Sequence, residues 1–591
     1  MQTDFLAYPL VIDHVKTEDL NWVFNAPDLS GPPATDFGNL VQQQDWTRKR
    51  VIWVMYGSCH LDSIELLLSK ISETSEIIVA EPCALDAYHL DTLHRERLRS
   101  LICDKKLKII AGSDALKRAE KVAELINIDS MDAWKPVLSV TTMENHASDV
   151  RVFFKRIAEL LNQKAMVKAT NIERSVMYLR NALVNAPLAY SQDPYSILQS
   201  VANNRPVLII SAGPSLNKQL PLLADNQDLF TILAVDTVWP ILHSHGIVPD
   251  AVLALDPLNQ PSWPLNGLHE DTLLVADIGT GPQLVWSTHQ NHVITACNDV
   301  IMSVVSAMGG KAGRMNTGGS VATSAFNLGV HLGGNPLIFI GQDLAHTDGK
   351  DHAEGYAAER DEAEFRRRFE MGYDVDGYYG GKVRTEHQLL FYKTWFEEQI
   401  KHHSDKLVIN ATEGGAQIEG TVQLPFIDVC REIRSTSLRK TKLPSAGKTQ
   451  VNLEHMSQLI EGINRLIANV ESFLDIAEIG LKSTLEFNRN TSNKLKLLNK
   501  IDQINQNIRN IEPLTKLVIN AYNMADLEKI RYETHTRENM KNISDAIKKY
   551  RTLYKSIINS ASKALLELKK QKKFYTELIN TKDLSITLIE I

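Results

Sequence analysis

The sequence predicts an α/β protein: two doubly wound domains, each built on a parallel sheet, followed by an all-α helical bundle. Three observations predict it. Short apolar runs of four to six residues alternate with helical periodicity in two separate stretches, over residues 51–111 and again over 207–340. From Leu453 onward the apolar residues instead recur at i, i+3, i+4 and i+7, the stripe of amphipathic helix. The chain is 591 residues long, beyond the size at which one hydrophobic core stops growing, so several domains are expected.

Residues 1–50 read as loop-rich, with Gly31-Pro32-Pro33 in their middle. Val51 to Tyr56 is a compact apolar run ending at Gly57, and Ile77 to Ala80 and Leu107 to Ala111 follow it, with a helical pattern through Ile64, Leu67, Leu68 and Ile71 between the first two. Buried parallel strands have this composition because helices cover both of their faces. The N-terminal domain is set at residues 1–150. Gly57 and Glu81 faintly echo a dinucleotide fold, but one glycine of the three usual ones points to a structural role. Residues 151–204 show helical periodicity with few turn signals and read as a connector. The second domain, 205–430, holds six expected strands: Val207–Ile210, Thr231–Val235, Ala251–Leu255, Thr272–Ala276, His292–Ala296 and Leu337–Ile340. Residues 431–591 form the bundle, with helices through Leu453–Val470, Leu495–Ile511 and Ile543–Leu568 and a break at Pro513.

Hydrophobic residues are 43% of the chain and charged residues 23%, ordinary globular usage that excludes wholesale disorder. The net charge of −7 is uneven, because residues 431–591 carry 28 Lys+Arg against 18 Asp+Glu and the remainder 36 against 53. A basic bundle is either a solvated helix surface or a surface for an acidic partner. Cys59, Cys83, Cys103, Cys297 and Cys430 lack any CxxC or CxxH spacing and read as reduced thiols. Met1 to Val15 has no basic segment before an apolar one, and no apolar run approaches the roughly 20 residues that cross a bilayer. These features predict a cytoplasmic protein without membrane or nucleic-acid partners.

Chemistry is expected where strands end. Pro206 to Leu220 runs from strand through Ser211-Ala212-Gly213-Pro214-Ser215-Leu216 into helix, with Gly213 for close backbone approach and Ser215 as a helix cap. Asn316-Thr317-Gly318-Gly319-Ser320 leads into a helix in the same way. Helix amino termini offer unpaired amides and partial positive charge, so two such turns in one sheet suggest a nucleotide phosphate site beyond the carboxyl ends of the strands. Asp236, Asp256 and Asp343 follow three strands and would face that crevice. The loop Ala345-His346-Thr347-Asp348-Gly349-Lys350-Asp351-His352 supplies histidines suited to deprotonating a hydroxyl, with a nearby aspartate to orient them; a solvated turn is the plainer reading. His346, His352, Asp343 and Asp348 could also hold a divalent metal, but their spacing matches no standard ligand pattern, and no metal site is assigned. Glu413, in the polar turn Asn410-Ala411-Thr412-Glu413-Gly414-Gly415, is a second-rank candidate.

The motifs Ser211-Ala212-Gly213-Pro214-Ser215-Leu216, Gly246-Ile247-Val248-Pro249-Asp250 to Leu255-Asp256-Pro257, Gly318-Gly319-Ser320-Val321-Ala322, Gly341-Gln342-Asp343-Leu344-Ala345 and Asn410 to Gly415 together resemble the motility-associated factor (Maf) glycosyltransferases of flagellated bacteria. They span about residues 205–420. The resemblance implies Rossmann-like domains and transfer of a nonulosonic acid, of pseudaminic or legionaminic type, from its CMP-activated form to Ser or Thr hydroxyls of flagellin before export. No tightly bound cofactor is implied. The Gly-Pro-Ser-Leu turn is also similar to the CMP-binding turn of a bacterial sialyltransferase family, whose Gly-Asn-Gly-Pro-Ser is here Ser211-Ala212-Gly213-Pro214-Ser215. On this reading the donor lies against Ser211, Gly213, Pro214, Ser215, Thr317, Gly318, Gly319 and Ser320. Asp236 and Asp256 order it, Gln342 and Glu413 complete its site, His346 or His352 is the base, and Asp343 orients that base. The central domain also resembles the 6-hydroxymethylpterin diphosphokinase MptE-like family, which implies ATP-dependent phosphoryl transfer, although no GxxxxGK[ST] sequence is present. A non-catalytic nucleotide-binding flagellin chaperone is the third reading.

Overall fold

The structure is a computed structural model. It describes residues 50–57, 61–72, 75–82, 107–126, 128, 131, 133–138, 140–190, 195–258, 268–287, 291–296, 302, 305–306, 309–310, 312–355, 361–436, 438–445, 453–489, 494–509 and 543–581. The expected loop at 1–49, the break at Pro513 and every cysteine but Cys430 lie outside these residues. Cys430 is a buried free thiol. Two compact units divide the chain, the first ending at Asn171 and the second beginning at Ile172.

In the first unit β1 (Val51–Tyr56), β2 (Glu76–Glu81), β3 (Leu107–Ala111) and β4 (Ala133–Leu138) form a parallel sheet in the order β3-β2-β1-β4. Helix α1 (Leu61–Lys70) lies between β1 and β2, and α2 (Ala115–Leu125) between β3 and β4. The fourth strand escapes the sequence pattern because Pro136 interrupts its apolar run. It is tolerated because β4 is an edge strand whose outer side needs no amide donor. The connector is one helix, α3 (Val140–Asn185), so the expected boundary at 150 falls inside it. No glycine or proline occurs between 140 and 185 to end it earlier, and Pro187 follows. Val150, Phe153, Phe154, Ile157 and Leu161 belong to the first sheet's core, whereas Leu179 and Leu183 belong to the core of the bundle.

Among the described residues the second unit is built on nine parallel strands rather than six: β5 (Val207–Ile210), β6 (Thr231–Val235), β7 (Ala251–Ala254), β8 (Leu273–Asp277), β9 (His292–Ala296), β10 (Gly313–Arg314), β11 (Leu337–Ile340), β14 (Val408–Asn410) and β15 (Val422–Gln423). The three additional strands have two or three residues, too few to register as apolar runs. Their order is β10-β9-β8-β7-β6-β5-β11-β14-β15, so the chain reverses its direction of travel across the sheet between β5 and β11. Leu337 pairs with Val207 and Ile340 with Ile210, which brings Ser211 and Gly341 side by side where the two strands end. Strands β12 (Tyr373–Asp376) and β13 (Lys382–Thr385) form a separate, mostly exposed antiparallel hairpin.

Helices α4 (Leu216–Ala224), α5 (Trp239–Ser244), α6 (Pro282–Ser287), α7 (Val321–His331), α8 (Glu362–Glu370), α9 (His387–His402) and α10 (Phe426–Ser435) surround this sheet. Phe326 of α7 packs against Phe339 of β11 and against Trp395 and Phe396 of α9. The bundle consists of α11 (Leu453–Arg489), α12 (Lys494–Arg509) and α13 (Ile543–Thr581) among the described residues. Met456, Leu459, Ile463, Leu466 and Val470 meet Ile557, Ala561, Ala564 and Leu568, the i, i+3, i+4 stripes read from the sequence. The Tyr575 hydroxyl donates to the Leu183 carbonyl. The bundle therefore completes the core under the end of α3, and removing it would uncover apolar surface in the same unit.

Candidate functional site

At the reversal between β5 and β11, three strand ends lock together around one carboxylate. Asp343 is buried, accepts from the Ser215 hydroxyl at 2.6 Å and the Ser215 amide at 3.2 Å, and also accepts from the Thr347 hydroxyl. Burial, above all, raises its pKa, against the opposing effect of those hydrogen bonds. Ser211 donates to Gln342 Oε1 at 2.7 Å, the Gln342 amide reaches Thr412 Oγ1 at 3.3 Å, and Gln219 Nε2 bonds the Thr412 carbonyl at 3.0 Å. A Cβ on Gly213 would lie 2.8 Å from Asp343 Cγ, and one on Gly415 would lie 2.6 Å from the Asp343 carbonyl carbon. These glycines are needed for backbone interlock.

This arrangement corrects four expectations. Ser215 stands at the start of α4 but makes no cap bond, because its hydroxyl is turned to Asp343. The Gly213 amide bonds the Gly341 carbonyl at 2.8 Å and the Leu216 amide bonds the Gly213 carbonyl at 3.1 Å, so with Ser215 these turn donors are used internally. Asp343 orients Ser215 and Thr347; it bonds neither histidine. Glu413, in left-handed backbone at φ 55°, accepts from the Phe426 amide at 3.0 Å and fixes the start of α10.

The second bend makes the cap the sequence predicts: Ser320 accepts from the Thr323 amide while Thr323 Oγ1 accepts from the Ser320 amide. The Gly318 amide also goes to Thr323 Oγ1, at 2.8 Å. Helix α7 ends beside the amino end of β5, where the Ser200 amide meets the His331 carbonyl, so its start lies at the carboxyl rim with the first bend. Here the Tyr392 hydroxyl donates to the Gly319 carbonyl at 3.1 Å, and Arg174 stands 3.7 Å from Asp256. Arg174 and Tyr392 carry no sequence signal: one lies within the long helix, the other beside apolar neighbours on α9.

Asp236, at the end of β6, is buried and bonds the Thr237 amide at 2.9 Å. Burial, with a smaller contribution from the charge of Asp256, pushes its pKa up to about 7. The folded state thus keeps a proton that the unfolded chain releases near 3.8. The stability tied to that proton is complete below the unfolded value, declines as pH rises, and is gone above about 7. Asp236→Asn should therefore gain stability relative to the parent between pH 5 and pH 8, checked by urea midpoints at the two pH values.

The histidines occupy different environments. The His346 side chain is 0% exposed, packed between Phe365 and Phe369, with Nε2 3.8 Å from Glu386. His352 is 39% exposed, with Nδ1 3.5 Å from Asp351 Oδ1. The next residue hydrogen-bonds the first bend, Ala353 amide to Ala212 carbonyl at 2.9 Å, so His352 stands over the end of β5. Among the described residues no group of three His, Cys, Asp or Glu is placed to hold a metal, and no helix is long and apolar enough to cross a membrane. An open cavity of about 540 Å³ adjoins this rim on the β11–β14 side, bounded by Lys218, His346–Gly349, Phe369, the β12–β13 hairpin and Gly414–Gly415. Its lining includes no residue of either bend, but Thr347 in its wall donates to Asp343, which holds Ser215 of the first.

Residues 180–349 match the family model described as 6-hydroxymethylpterin diphosphokinase MptE-like. The fold is similar to that of the MAf glycosyltransferase from Magnetospirillum magneticum AMB-1, with a TM-score of 0.52 over 94% of this chain and 85% of that one, at 15% identity. Both families suspected from the motifs are thus matched. Two uncharacterized proteins of Treponema pallidum (strain Nichols) are 28% identical over 132 residues, 21% of this chain, and 25% identical over 312 residues, 49% of it. The matches span 62% and 51% of those relatives' own lengths.

Proposed function

We propose that the protein is a cytoplasmic glycosyltransferase that moves a nonulosonic acid, of pseudaminic or legionaminic type, from its CMP-activated form to Ser or Thr hydroxyls of flagellin, in support of motility. The observation that carries the reading is fold likeness across nearly the whole chain to a glycosyltransferase; the rim supports it by placing a histidine–aspartate pair over a strand end. In this reading the donor lies along the carboxyl ends of β5, β6 and β7, bounded by Ser211, Gly213 and Pro214 on one side and Thr317 to Ser320 on the other. Asp236 and Asp256 order its polar groups. Because the bend amides are used internally, Arg174 is the cation that faces the phosphate. Gln342 holds Ser211, Ser215 and Asp343 hold the bend, and Glu413 holds α10.

The acceptor hydroxyl oxygen attacks the anomeric carbon as the bond from that carbon to the phosphate oxygen breaks, CMP departs with the bonding pair, and His352 takes the hydroxyl proton. Asp351 orients His352, while His346 is a packing residue of the loop. Incubation with CMP-nonulosonate and flagellin, followed by intact mass, tests the reading: a mass gain of one glycosyl residue on flagellin is expected. Turnover of ATP and a pterin without that gain would favour the reading that the family-model match suggests, and turnover of neither would favour a nucleotide-binding chaperone.

The basic bundle is the proposed acceptor grip. Lys570 and Lys573 are 64% and 79% exposed on α13. Reversing them to Glu should lower transfer to flagellin several-fold at low salt, with donor affinity unchanged, because exposed charges act on encounter and are screened. Initial rates at two ionic strengths check this; the substitutions leave the shared core intact, unlike deletion of the bundle.

A further inference from the structure

The cavity beside the hairpin is not used by the reaction as set out above, yet it has the features of a site. Tyr378 is only 8% exposed and lines it, and its hydroxyl has no hydrogen-bond partner among the described residues. A buried phenol left without a partner destabilises the free protein, so such a group in the wall of an open cavity marks where a ligand acceptor belongs. Burial and the Glu413 carboxylate raise its pKa well above the ordinary range, which keeps it a donor. Around it stand Lys218, Lys382 and Arg384, against one lining acid, Asp348. Lys382 and Arg384 are tied across the hairpin to Asp376 and Asp374 at 2.7 and 3.1 Å. Lys218 is different: its ammonium bonds the Glu413 carbonyl at 2.8 Å and lies 5.9 Å over the Tyr379 ring, so no carboxylate neutralises it in these contacts. Tyr379 is 71% exposed beside Gly380 and Gly381, whose left-handed φ values of 84° and 70° turn the hairpin and leave the ring open for stacking.

We propose that this cavity is a binding site for an acidic saccharide, with Tyr378 and Lys218 holding its carboxylate and Tyr379 stacking on its ring. Donors gathered around one lysine that makes no ion pair among the described residues select an oxyanion, and an exposed aromatic face beside them suits the apolar face of a pyranose. The inference rests on the glycosyltransferase reading for its relevance to turnover, but the site is defined by its own residues and can be tested without turnover.

The probes are free N-acetylneuraminic acid, neutral N-acetylmannosamine and CMP, titrated separately into the full-length protein by ligand-observed NMR. Acidic sugar binding to the parent, roughly tenfold weaker binding to Tyr378→Phe, and little binding of the neutral sugar are expected. Tyr379→Ala should also weaken the acidic sugar, while CMP affinity stays the same in both variants. Equal affinity of parent and Tyr378→Phe for the acid, or equal affinity of the parent for the acidic and neutral sugars, would overturn the site. Failure of CMP to bind while the acid still does so in a Tyr378-dependent way would instead count against the proposed donor and leave the cavity assignment standing. Since Tyr378→Phe removes only a buried hydroxyl that makes no hydrogen bond, the variant should unfold at or above the parent's temperature, and a lower value would reveal a folding defect.

Discussion

Gly415→Ala is expected to leave little folded protein, with a loss above roughly 4 kcal/mol, because the added methyl meets backbone that cannot yield. Its Cβ would stand 2.6 Å from the Asp343 carbonyl carbon, in a residue already at φ 70°. Gly213→Ala meets Asp343 from the other side, at 2.8 Å from Cγ and 2.5 Å from the Gly341 carbonyl oxygen, and should also be strongly destabilised. Gly246→Ala is the control, since Gly246 shares the left-handed backbone at φ 67° but has nothing within 4 Å of an added Cβ. It should cost only about 1–2 kcal/mol, the conformational strain alone. Soluble yield and thermal unfolding of the three variants separate collision from strain; equal losses at 415 and 246 would mean that the interlock around Asp343 is not what fixes the rim.

His352→Ala should slow transfer by about 10²- to 10⁴-fold at saturating donor, the usual contribution of a positioned base, with the KM for donor little changed. Asp351→Asn should fall between His352→Ala and the parent, because Asp351 stands 3.5 Å from His352 and orients it without touching substrate. His346→Ala is expected to lower the unfolding temperature, since it empties space between Phe365 and Phe369, while activity per folded molecule stays within a few-fold. The opposite pattern, with chemistry lost at His346 and kept at His352, would move the base to the buried imidazole.

The strands that position the site were legible where they are apolar on both faces: Val207–Ile210, Thr231–Val235 and Leu337–Ile340 stand where the runs put them. Strands β10, β14 and β15 were not, because two or three residues carry no periodicity, and β4 was hidden by Pro136. Among the site candidates, the sequence indicated that Ser211, Ser215, Gln342 and Asp343 flank strand ends, and the structure joins them. It did not indicate that Ser215 binds Asp343 instead of capping α4, since a cap and a long-range partner call for the same residue type. The cavity around Tyr378 was illegible, as Tyr373 to Thr385 is a polar, mostly exposed stretch whose partners in Thr347–Gly349 and Gly414–Gly415 are at least 24 residues away.

By itself the sequence determined the layered architecture, the amphipathic bundle and the turns at which chemistry is expected, because burial of apolar surface at fixed periods is a local property of the chain. Only the tertiary structure decided which carboxylate is a fastener and which histidine is accessible, and which glycines face backbone. Those distinctions depend on what the neighbouring strand end supplies: Asp343 is 128 residues from Ser215, and the hydrogen bonds and collisions that define its role exist only once β5, β11 and β14 lie side by side.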